Sequence, residues 1–218
     1  GDASVNGKHT LPADIERTSM AIITQELAAA GIELPPQHAA VVKRVIHTTA
    51  DFDYADNLAF SPDVIEQAKA ALCSGATIVT DTNMALSGIS KPSLTKLGAK
   101  ALCLMADPDI AREAKERGVT RAVVSMEHAA RLDGPLIFAV GNAPTALIRL
   151  HELIGRDEVK PALVIGVPVG FVNVVEAKEL FIGGKTPYII ARGRKGGSNV
   201  AAAIVNALLY QLIRREGF

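Results

Sequence analysis

The sequence predicts an α/β domain: a flavodoxin-like, doubly wound, mostly parallel five-stranded sheet with helices on both faces and a helical N-terminal region. Three observations carry that prediction. Short, continuously apolar runs alternate with amphipathic stretches, and continuous apolarity marks strands covered on both faces, as in a parallel sheet. Four of the five runs are followed by polar or glycine-rich segments, as where strands of an open sheet hand over to helices. The length, 218 residues, suits one large domain.

Taken in order, the segment GDASVNGKHTLP is polar and lacks the apolar core of a signal sequence. Residues 1–12 therefore read as an N-terminal arm or expression remnant, and 13–218 as one domain. Met20, Ile23 and Leu27 share one helix face. VVKRVIHTTADFDYADN (41–57) begins as an apolar helix, reaches His47 and breaks into Asp51, Asp53 and Asp56. Ser61-Pro62 should open the helix of Val64, Ile65, Ala68, Ala71 and Leu72, with the serine as cap.

The predicted strands are ATIVT (76–80), KALCLM (100–105), PLIFAV (135–140), PALVIGV (161–167) and TPYIIA (186–191). Between the second and third, Asp107-Pro108 caps a helix that Gly118 ends. Ala146, Leu147, Leu150, Leu153 and Ile154 line a helix closed by Gly155, and Val200 to Leu212 form the apolar stripe of the last one.

Composition narrows the function. Acidic and basic residues balance at 23 each, so no global field favours nucleic acid or an anionic membrane. Trp is absent and aromatics are scarce, which disfavours base-stacking platforms. No apolar run approaches the ~20 residues of a membrane span. Cys73 and Cys103 stand in apolar surroundings without CxxC spacing and read as buried thiols of a cytoplasmic protein.

The chemistry belongs at the carboxyl ends of the strands. The loops there read TDTNMALSG, GNAPT, GVPVGFVN and RGRKGGSN. They supply Thr80, Thr82, Asn83, Asn142, Gly170, Lys195, Gly196, Gly197 and Ser198 as donors for a ligand with several carboxylates or phosphates. Neither GxxxxGK[ST] nor GxGxxG is present, so nucleotide sites lack their required glycines. The histidines form no metal-ligand cluster, and DFDYAD departs from the calcium-loop spacing, leaving its aspartates to turn and cap duty. His9 lies in the tail, and His38, His128 and His151 sit in helical contexts that exposure or capping explains. His47 has two readings: a residue favoured by a helix C-terminus, or an acid/base that titrates near neutrality.

RVIHTTADFDYADNLAFS, TDTNMALSGI, GNAPTAL, PALVIGVPVGFVNVVEAKE and GRKGGSNVAAAIVNALLY together resemble the precorrin-8X (or cobalt-precorrin-8) methylmutase family, over about residues 14 to 212. That resemblance implies an isomerase of cobalamin biosynthesis, moving a methyl group from C-11 to C-12 of a corrin precursor. It implies a homodimer whose active site lies at or near the interface, and no dissociable cofactor; any cobalt is carried by the substrate. It makes His47 the catalytic residue and Ser19, Arg44 and Arg121 substrate contacts. A tetrapyrrole with a rim of acetates and propionates suits neutral loops rich in N–H and hydroxyl donors. Met84, Ala85, Leu86, Val167, Val169 and Phe171 are candidates to face its ring or to pack in the core. The competing class is a non-catalytic corrinoid carrier on the same fold, in which His47 would only cap a helix.

Overall fold

The computed structural model describes residues 11–218; the N-terminal decapeptide, with His9, lies outside the described residues. Two helices come first, α1 (Pro12–Ala29) and α2 (Ala39–Thr49), then a single turn, α3 (Tyr54–Asn57), and a short strand, β1 (Leu58–Phe60). The α/β body follows as α4 (Val64–Cys73), β2 (Thr77–Thr80), α5 (Asn83–Gly88), α6 (Lys91–Leu97), β3 (Lys100–Cys103), α7 (Pro108–Arg117), α8 (Arg121–Ala129), β4 (Leu136–Val140), α9 (Pro144–Gly155), β5 (Leu163–Gly166), α10 (Val174–Glu179), β6 (Tyr188–Ala191) and α11 (Ser198–Leu209).

The sheet has six strands, in the order β1-β6-β5-β4-β2-β3. All neighbours are parallel except β1, which pairs antiparallel with β6, Leu58 opposite Ala191. The five predicted strands are present in the doubly wound order, but the sheet is mixed rather than five-stranded. The missed strand is three residues long, too short to display a period. Ser61 belongs to this pairing instead of capping α4: its N–H donates to Tyr188 O at 3.0 Å and its hydroxyl accepts from Tyr188 N at 2.8 Å. Asp63, in a left-handed conformation, precedes α4.

Both faces of the sheet are covered, which explains the continuous apolar runs. On β4, Ile137 and Ala139 join a core with α1, α2, α4 and α11, while Leu136, Phe138 and Val140 join a second core with α8, α9 and α10. Asp107 caps α7 by accepting from Asp109 N, and Gly118 ends it at φ 66°. The strands are one to three residues shorter than predicted, and two helix ends differ: Gly155 lies inside α9, with Asp157 taking the left-handed φ, and α11 ends at Leu209, before Leu212. Cys73 is exposed and Cys103 half-buried, so neither is the buried thiol expected.

Candidate active site

Helix α2 presents His47 because its other face is locked in the core. Val41, Val42, Val45 and Ile46 are all buried, each contributing about 1.5–3 kcal/mol. The helix stops immediately after: Thr49 Oγ1 donates to Val45 O at 2.8 Å, and Ala50 adopts a left-handed φ of 56°. A left-handed residue is a common helix stop, taken here by an alanine in place of the usual glycine.

The His47 ring is half-buried, with Nδ1 2.6 Å from the Ser19 hydroxyl of α1. It forms part of the wall of two cavities. One, about 350 Å³ and mainly apolar, lies between α1 and α2 beside Ile15, Ser19, Ile22, Ala50 and Phe52. The other, about 320 Å³, is lined by Arg44, Thr48, Asn199, Asn206 and Tyr210. The second wall also includes Ala202 and Ala203, so the imidazole borders a mainly apolar space on one side and one of mixed polarity on the other.

Burial lowers the proton affinity of His47 below that of an ordinary histidine; Arg44 lowers it further, Glu16 opposes, and Arg215 adds to the lowering. The ring is therefore mostly neutral at pH 7 in the substrate-free protein. Arg44 itself is paired with Glu16, which also accepts from Arg215. Burial works to raise the Glu16 pKa, but its bonds and attraction to the two arginines prevail and hold it below the usual carboxylate range.

The rim formed by the strand-end loops is built differently, because most of its donors are already engaged within the chain. Asp81, just past β2, is buried and accepts from the backbone N–H groups of Gly141, Asn142 and Ala143 at 2.8, 2.9 and 2.7 Å. Strands β2 and β4 flank the point where the strand order reverses, the usual ligand crevice of such sheets. The chain's own carboxylate thus occupies the GNAPT anion cradle. Burial raises the Asp81 pKa, against the opposing effect of those N–H bonds.

The RGRKGGSN loop is held from below by Lys178, which is fully buried and donates to Gly193 O at 2.7 Å and Lys195 O at 3.0 Å. Burial pushes its pKa down to about 8. Gly196 is required there, since a Cβ would lie 2.0 Å from Val167 O, and Gly197 N donates to that same oxygen at 2.8 Å. Gly170 N donates to Arg194 O at 3.0 Å, tying two of the loops together. Thr80 is buried with its hydroxyl on Thr82 O at 2.8 Å, and the hydroxyls of Thr82 and Ser198 meet at 2.7 Å. Asn83 and Asn142 have exposed side chains.

Lys195 does not stand alone as a cation: its ammonium lies 2.7 Å from Asp51 and 2.6 Å from Asp53. Asp51 and Asp53 are therefore not only turn residues; they anchor the end of the histidine segment to the loop between β6 and α11. Arg121 is exposed at the start of α8, on the sheet face opposite α1 and α2. The structure thus gathers His47, Ser19 and Arg44 on one side, groups the loop residues at the rim, and leaves Arg121 apart from His47 within one chain. Of the apolar candidates, Ala85 and Val167 are buried, whereas Met84, Val169 and Phe171 are exposed. Glu16, Asp81, Lys178 and Arg215 were not singled out by the sequence. Only Lys178 carries a local signal, a lysine at an apolar helical position in VVEAKE.

Comparison with known proteins decides the family. The precorrin-8X methylmutase family model matches residues 14–211. The chain belongs to that family. It is 47% identical over 205 residues to the cobalt-precorrin-8 methylmutase of Salmonella typhimurium, covering 92% of this chain and 96% of the relative. It is 41% identical over 197 residues to the precorrin-8X methylmutase of Pseudomonas aeruginosa, with 89% and 93% covered. The crystal structure of precorrin-8X methylmutase from Thermus thermophilus superposes with a TM-score of 0.81 at 38% identity, covering 90% of this chain and 96% of that one. Methylmutases are isomerases, and this chain is one. Among the described residues no cluster of three or more His, Cys, Asp or Glu could hold a metal, and no helix is long and apolar enough to cross a membrane.

Proposed function

We infer that this methylmutase moves a methyl group from C-11 to C-12 of (cobalt-)precorrin-8, with His47 as the group that lends and recovers a proton. The observation that carries this reading is the position of the His47 ring, which is shared between two open cavities and held by Ser19. As an imidazolium it protonates or hydrogen-bonds a ring nitrogen near the migrating methyl. That withdraws electron density and favours a 1,5-sigmatropic shift, after which the proton returns to the imidazole. Ser19 suits such a cycle, because a hydroxyl donates to a neutral ring nitrogen and accepts from a protonated one. The resting ring is mostly neutral, and the carboxylates of an arriving tetrapyrrole supply the negative charge that favours protonation.

The apolar cavity fits the macrocycle edge, and Arg44 fits a side-chain carboxylate beside the histidine. Ser19, Thr80, Thr82, Asn83, Arg121, Asn142, Gly170, Lys195, Gly196, Gly197 and Ser198 remain the proposed substrate-binding set, with Thr80 and Gly196 acting through loop shape rather than exposed donors. A homodimer with the site near its interface accounts for the solvent-facing Ile15 and Ile22 beside the His47 cavity and for the separate position of Arg121. The reading also includes no dissociable cofactor, cobalt travelling with the substrate, and a cytoplasmic setting. His47→Ala should lower kcat by about 10²–10⁴-fold while leaving ligand affinity nearly intact. Native turnover in that variant, or a wild-type protein that returns a stoichiometric excess of substrate unchanged, as a carrier would, overturns the reading.

A further inference from the structure

Helix α1 and the C-terminal segment meet beside His47. Glu16 of α1 accepts from Arg44 of α2 and from Arg215, which lies in the segment after α11. All three side chains are largely buried, at 15, 15 and 21% exposure. The two guanidiniums also share one aromatic ring: the Arg215 Cζ lies 3.8 Å and the Arg44 Cζ 5.1 Å from the centre of the Tyr210 ring. The Arg215 Cζ also lies 3.9 Å from the centre of the Phe218 ring. Tyr210 and Arg44 in turn line the second cavity that His47 faces.

We propose that Glu16 and Arg215 are positioning residues for the methyl shift: the carboxylate between two guanidiniums fixes Arg44, and the triad sets the charge felt by the His47 ring. The proposal rests on His47 being the proton-carrying group. Two cations and one anion leave a net positive charge at the site, suited to a carboxylated substrate. Without Glu16 both arginines would oppose protonation of the imidazole. Without Arg215 the balance would move the other way. The groups facing His47 are Glu16 and Glu26 from α1, Arg44 from its own helix, Tyr210 and Arg215 from the C-terminal segment, and the neutral Ser19, Asn199 and Asn206. Burial lowers its proton affinity most, Arg44 and Arg215 lower it further, and Glu16 raises it. The sign for each substitution is thereby fixed. Coulombic coupling is felt because the three side chains are largely shielded from solvent.

The test is an NMR titration of the His47 ring in the substrate-free, full-length protein, with Glu16→Gln, Arg215→Gln and the double variant. Glu16→Gln should move the His47 midpoint to lower pH, Arg215→Gln to higher pH, and the double variant should lie between them. The limb of the kcat/KM profile that reports His47 should shift in the same directions. A merely structural role would not produce opposite shifts. Unmoved midpoints, or shifts of the same sign in both single variants, overturn the proposal. Opposite NMR shifts with an unchanged rate profile would keep the charge triad and reject His47 as the reacting group, separating the two failures. Should Glu16→Gln fail to fold, Arg215→Gln, altered beyond the last helix, still decides the direction.

Discussion

The histidine side and the strand-end rim make an instructive pair. Both are polar surfaces beside a doubly wound sheet, yet they are wired in opposite ways. At the rim, Asp81 fills the amide cradle of GNAPT, Lys178 holds two carbonyls of the RGRKGGSN loop, and Asp51 and Asp53 hold Lys195. Around His47, one hydroxyl contact and one charge triad border two open cavities. The rim's polar groups mainly fix loop shape, whereas those around His47 leave room for a ligand. Donor-rich loops in a sequence therefore show where a frame is built as well as where substrate contacts are proposed.

The sharpest way to break this comparison is to exchange the kinds of effect. His47→Ala should cost the full 10²–10⁴-fold in kcat with the denaturant midpoint almost unmoved. Asp81→Ala should do the reverse in kind, destabilising the fold by about 3 kcal/mol in urea unfolding, because three amides lose their acceptor and burial keeps water from replacing it. A loss below about 1 kcal/mol would mean that the cradle is solvated and open to a ligand anion. The smallest stability effect belongs to Lys195→Met. Its pairs with Asp51 and Asp53 are exposed, and such pairs contribute little. The unfolding midpoint should stay where it is while KM rises if Lys195 meets a substrate carboxylate. An unchanged KM would assign it to anchoring alone.

Much of this architecture was legible in the sequence, for identifiable reasons. The parallel strands are buried on both faces, so their apolar runs are continuous, and the Asp107-Pro108 and Gly118 signals are local chemistry that the backbone obeys. Strand β1 was illegible because three residues carry no period, and Ser61 bonds to Tyr188, which lies 127 positions away. His47 stood out as a titratable group at a helix end. Its surroundings did not, since Glu16 and Arg215 are separated by 199 positions and Lys195 and Asp51 by 144. Ion pairs of that span leave no mark in spacing or periodicity. Asp81 escaped because a carboxylate between a strand and a helix cap reads as part of the turn.

The central claim, that chemistry occurs at His47 while the rim supplies the frame, is tested most directly by a crystal structure with the tetrapyrrole bound. The imidazole Nε2 should stand about 3 Å from a ring nitrogen near the migrating methyl, Ser19 should still be on Nδ1, and Asp81 should still hold its three amides. A macrocycle seated on the rim loops alone, with the imidazole out of hydrogen-bond reach or a substrate carboxylate in place of Asp81, would contradict it.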